Sequence, residues 1–188
     1  MMFAVESFKK FRWIDIFAIL FLAGLWLLLS FLVDYFCDLQ TEYIFSLLII
    51  SVLLAFTVQL VNKTGTAVIF FGAGSFFTSF LDNIGPVGSD KVLVFLIAAV
   101  VFELIFLVLK LEIRNLQFDI ILGTALSAAV IPFASALIIS TSVALTMLSS
   151  LINLVLLSFF IGLIGALIAA FIWYELRATR FFLRYFLR

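Results

Sequence analysis

KVLVFLIAAVVFELIFLVLK, running from Lys91 to Lys110, decides the fold class. Between its two lysines lie eighteen residues, fifteen of them Val, Leu, Ile or Phe, with a single charge at Glu103. A helix that is apolar on every side belongs in a membrane or a large protein core. A central carboxylate costs roughly 2.5–3.5 kcal/mol on insertion scales. Each large apolar residue returns up to about 0.3–0.6 kcal/mol. The segment therefore inserts despite Glu103, and that charge is expected to turn toward other helices.

The rest of the chain repeats this pattern. Hydrophobic residues make up 66% of the 188 and charged residues 12%, too apolar for a soluble domain of this length. Ten of the eleven Lys and Arg residues fall in four stretches. These are Lys9, Lys10 and Arg12; then Lys63; then Lys110 and Arg114; then Arg177, Arg180, Arg184 and Arg188. The connectors between these stretches are acidic or uncharged, and Lys91 alone breaks the alternation. Bases stay in short cytoplasmic loops. The pattern predicts an all-α, compact bundle of six transmembrane helices with both ends in the cytoplasm, forming one domain over 1–188.

The expected spans are 14–33, 44–61, 67–81, 92–109, 118–140 and 150–174. Residues 14–36 exceed a typical signal-peptide core and lead into no small-residue cleavage site, so they read as the first span. Short interfacial amphipathic segments flank the bundle. One is the aromatic and basic stretch ending at Trp13. The other is the tail 175–188, whose arginines recur every three or four residues and suit anionic inner-leaflet lipid. The Asp34–Tyr43 and Asp82–Asp90 stretches read as external connectors.

Several chemistries are excluded. The chain has no histidine and its formal net charge is zero, so it offers no Ser-His or Cys-His pair, no HExxH zinc motif, and no electrostatic case for nucleic acid. It contains neither a GxSxG elbow nor a P-loop lysine motif. A non-enzyme with no cofactor and no metal is the expectation. The single cysteine, Cys37, forms no internal disulfide.

Binding candidates fall in two groups. Glu103 in the fourth span and Asn153 in the sixth are expected to meet in a polar hollow sealed from lipid. Asp34, Glu42, Asp82, Asn83 and Asp90 cluster at the external ends, with Trp26 and Ser30 below Asp34. An acidic mouth of this kind favours a cationic solute. Pro132 frees the carbonyl of Ala128, with Ser127 and Ser135 near enough to compensate. Small residues mark close helix approaches: Ala18, Ala23 and Gly24 in the first span, Gly72 and Gly74 in the third, Gly162 and Gly165 in the sixth.

These residues also carry a family likeness. The opening Arg12-Trp13-Ile14-Asp15-Ile16, the turn Val61-Asn62-Lys63-Thr64-Gly65-Thr66, the acidic Phe102-Glu103-Leu104, and Asn153 followed by Gly162-Leu163-Ile164-Gly165 resemble the substrate-binding S component of an energy-coupling factor (ECF) vitamin transporter. The resemblance implies capture of a small organic solute, a vitamin or precursor, in a prokaryotic cell membrane. It also implies docking of helices 1 to 3, through Ala18, Ala23 and Gly24, to a transmembrane coupling subunit driven by two ATPases. Four residues after Ala18 stands Leu22, not a small residue, with Ala23 one further on. The rival reading is a noncatalytic structural or assembly subunit, in which Glu103 and Asn153 are interhelical glue.

Overall fold

The computed structural model describes residues 10–109, 112–113, 116–139 and 145–177. Six helices account for nearly all of them: α1 (Trp13–Phe36), α2 (Leu39–Val61), α3 (Thr66–Phe77), α4 (Ser89–Leu109), α5 (Phe118–Ile139) and α6 (Leu145–Arg177). A two-residue antiparallel ladder, β1 (Glu112–Ile113) with β2 (Leu116–Gln117), joins α4 to α5. Both interfacial segments, the one ending at Trp13 and the tail 175–188, fall largely outside the described residues.

Five of the six helices are long and apolar enough to cross a membrane, so the chain is a multi-pass membrane protein. The exception is α3. It was expected to fill 67–81, but the helix has 12 residues and rises ~18 Å against a hydrocarbon thickness of ~30 Å. Beyond Phe77 the chain continues as turns and loop to Gly88, with Gly85 and Gly88 at φ of 74° and 82°. This irregular stretch is packed inward: Thr78, Leu81, Asn83 and Ile84 are all buried.

Successive helices alternate in direction, giving the bundle a Lys63 end and a Lys91 end. The turn at the Lys63 end uses two left-handed residues, Asn62 at φ 48° closing α2 and Gly65 at φ 91° opening α3. Lys63 pairs with Asp15 and donates to the Lys10 carbonyl at 3.0 Å, which ties this turn to the start of α1. At the opposite end the predicted connector 34–43 is mostly helical. Helix α1 continues to Phe36 and α2 begins at Leu39, leaving Cys37 and Asp38 as the turn. Acid in the first turn of α2, Glu42, suits the positive end of that helix.

Small residues set the close packing at Gly74, Gly162 and Gly165, whereas Gly72 and Gly24, also expected at close approaches, have only an ordinary contact at 3.9 Å and open space respectively. A methyl group at Gly162 would approach Cβ of Ala128 at 2.7 Å on α5, and one at Gly165 would approach Cβ of Ser51 at 2.7 Å on α2. Helix α6 thus lies in tight contact with two neighbours. Helix α5 sits between α4 and α6, and α1 packs on α2 and α3.

Candidate functional site

Glu103 serves the short helix. The N-cap residue of α3 is Gly65, which has no side chain to cap the exposed amides. Glu103 Oε1 takes that role from α4, accepting the backbone N–H of Ala67 at 3.0 Å, with the N–H groups of Gly65 and Val68 beside it. A carboxylate at a helix N-terminus also complements the macrodipole.

Lys91 does the converse at the other end of α3. Its side chain is 0% exposed. The ammonium donates to the carbonyls of Thr78 (3.1 Å) and Leu81 (2.8 Å) and to Asn83 Oδ1 (2.9 Å). Three acceptors match the three protons of an ammonium. The one base that breaks the sequence alternation is therefore an interior group that closes the C-terminus of α3.

Asn83 links this structural pair to a wider polar cluster. Its Oδ1 accepts from Lys91 Nζ and also from the Ile84 N–H at 2.9 Å. Two donors on one atom identify it as the oxygen, so Nδ2 is the free donor, and it is buried with no hydrogen-bond partner. Glu42 lies nearby, with the Asp34 carboxyl against its own and with Asp82 and Lys91 in electrostatic contact. Glu42 Oε1 is likewise buried and unpartnered, as are the hydroxyls of Ser30 and Ser46. Other buried hydroxyls in these helices bond the carbonyl four residues back, as in Ser51, Thr57 and Thr124. Ser30 and Ser46 do not.

Helical register stacks these groups at successive levels between α1 and α2. Asp34 on α1 meets Glu42 on the antiparallel α2. One step of four residues down each helix brings Ser30 opposite Ser46, and a second brings Trp26 opposite Ile50. Trp26 forms an apolar floor. It stacks on Phe70 at 5.6 Å and meets Phe95 edge-on at 5.1 Å. Its ring covers Gly74, where a methyl group would overlap the ring carbons. Trp26 is thus a packed core residue beneath the cluster.

The structure gathers the expected residues selectively. Asp34, Asp82 and Asn83 share the Lys91 end, Asp34 and Asp82 exposed and Asn83 buried. Glu103 and Asn153 do not meet. Glu103 is bound to α3, Asn153 is exposed on α6, and α5 separates their helices. Glu103 Oε1 finds its partner on the adjacent α3, while Oε2 is buried without a hydrogen-bond partner. On α1, Ala23 is buried in the bundle, Ala18 is half-buried, and Gly24 has open space beside it. Ser127 and Ser135 donate to the carbonyls of Thr124 and Ile131. Sequence reasoning did not name Ser46, and it marked Lys91 as the base that breaks the alternation without giving it a role. The spacing of Ser46 four residues after Glu42, and the anomalous position of Lys91, were the available signals.

No family model, curated protein or solved structure matches this chain.

Proposed function

We propose that the protein captures a small organic solute at its Lys91 end, in the manner of the ECF S components that its sequence resembles. In this reading both termini are cytoplasmic, the Lys91 end faces outward, and α3 with its 78–88 extension makes the sixth crossing. The single observation that carries the proposal is that four of the six buried, unpartnered side-chain polar atoms among the described residues belong to residues at that end: Ser30 Oγ, Glu42 Oε1, Ser46 Oγ and Asn83 Nδ2. Each such atom costs about 1–3 kcal/mol if left unsatisfied. Four in one region make sense where a ligand completes them. With acids at the rim and donors and acceptors within, the solute is a cationic or amine-bearing vitamin or precursor. The protein itself hydrolyses nothing; a transmembrane coupling subunit with an ATPase pair supplies the energy. The basic tail 175–188 rests on anionic inner-leaflet lipid in a prokaryotic cell membrane.

Thermal-shift screening of purified protein against vitamins and their precursors tests this. A hit whose shift is lost in Glu42→Gln supports the proposal, and a flat response across the panel overturns it.

A second reading, a noncatalytic assembly subunit, draws on a different observation. Glu103 and Lys91, the two charges of α4 buried in the bundle, are both engaged in holding α3. Copurification separates the readings. An associated ATPase module favours transport, and a different membrane complex favours assembly.

A further inference from the structure

We infer that the α1–α2 hairpin holds a small monovalent cation, a metal ion of sodium size or a primary ammonium group, between Ser30, Glu42 and Ser46. The three side chains supply oxygen atoms alone: two hydroxyls and one carboxylate oxygen, each buried and without a protein hydrogen-bond partner. Ser30 and Ser46 are 0% exposed and Glu42 is 6% exposed. Glu42 and Ser46 share a face of α2, four residues apart, and helical register puts Ser30 on α1 opposite Ser46, one turn from Glu42. Hard oxygen donors of this kind suit hard cations.

The charge balance of the region points the same way. Glu42 and Asp82 lie in electrostatic contact with one base, Lys91, while the Asp34 carboxyl lies against that of Glu42. That ammonium is already committed to the Thr78 and Leu81 carbonyls and to Asn83. With that ammonium committed, Glu42, the buried carboxyl of the three, has no base of its own, and a carboxylate held away from water favours a paired cation. A site with one carboxylate and two neutral hydroxyls matches a single positive charge. The silence of Ser30 and Ser46 toward their own helix carbonyls leaves both oxygens able to turn to such a ligand.

This inference rests on the reading that the Lys91 end receives a ligand, and it names the cation chemistry there. The test is thermal unfolding of the purified full chain in choline chloride, with choline replaced stepwise by sodium, lithium, potassium or methylammonium at constant ionic strength. Choline is too large for the site and serves as the reference. A saturable rise in Tm of roughly 5–10 °C, at about a hundredfold excess over Kd, is expected with sodium or methylammonium. Response to sodium identifies a metal ion, and response to methylammonium identifies an ammonium group. Glu42→Gln and Ser46→Ala should each weaken the apparent affinity tenfold or more while keeping the helical circular dichroism of the parent. The same Tm for the parent protein in all five salts overturns the inference. If a vitamin still shifts Tm in choline while the cations do nothing, this inference falls and solute capture stands. If cations act and no solute does, the reverse holds.

Discussion

Lys91 and Glu103 stand twelve positions apart on α4 and grip the two ends of a twelve-residue neighbour, α3. The spacing corresponds to ~18 Å on each helix. Because the helices are antiparallel, the carboxylate reaches the N-terminal amides of α3 and the ammonium reaches the carbonyls of its C-cap, Thr78, and of Leu81 just beyond. Both signs complement the macrodipole. A helix too short to cross the bilayer alone is thereby satisfied at both ends inside the bundle, where open backbone groups are expensive.

Replacing Lys91 with Met should be severely destabilising. The substitution strips three buried acceptors of their donor, at about 1–3 kcal/mol for a group left unsatisfied. A loss of at least 3 kcal/mol is expected, read as a fall in Tm in detergent. It should also release the Asn83 amide, so solute binding should weaken in any fraction that remains folded. A Tm within a degree of the parent would remove Lys91 from this role.

Glu103 separates the structural from the ligand-binding reading. Glu103→Gln keeps an oxygen for the Ala67 N–H and loses the charge–dipole component, about 0.3–1 kcal/mol. Glu103→Ala loses both and should be worse by about 1–3 kcal/mol. Neither change should alter the affinity for a solute bound at the Lys91 end, measured by titration calorimetry on the folded protein. A tenfold loss of affinity in Glu103→Gln would return this residue to the binding site.

Gly74→Ala should drive the α1–α3 contact apart, since the added methyl falls on the Trp26 ring. Overpacking of this kind costs about 1–3 kcal/mol. The smaller ring in a Trp26→Phe, Gly74→Ala double variant should recover part of the loss, giving a non-zero coupling in a double-mutant cycle. Simple additivity would show that the two residues do not bear on each other.

Membrane orientation is open to direct labelling. With Cys37 replaced by Ser as the background, a cysteine at Asn62 should react with a membrane-impermeant maleimide only after the cells are opened. A cysteine at Asp90 should react in intact cells. The opposite pattern would invert the proposed topology, and with it the direction of solute capture.

Much of the architecture was legible in residues 91–110 and their counterparts. The apolar perimeter of a span, and the bases beside it, are local properties that need no knowledge of neighbours. The acids at the Lys91 end were legible for the same reason, as were the glycines of α6, since a small residue announces a close approach without naming what approaches. The boundary of α3 was not. Apolar character continues to Leu81, yet the helix stops at Phe77, and the carbonyls of Thr78 and Leu81 beyond it are taken up by Lys91 from another helix.

The sequence by itself determined that this chain lives in a membrane, roughly where it crosses, and which end gathers the bases, because solvation by hydrocarbon and the placement of charge act on each segment separately. Tertiary structure alone decided what the charges do. Glu103 meets Ala67 across 36 positions of chain, and Lys91 meets Leu81 across 10. Whether an interior carboxylate caps a helix or awaits a ligand depends on which backbone ends arrive beside it. That is settled when six helices pack, as is the grouping of Ser30, Glu42, Ser46 and Asn83 at one end.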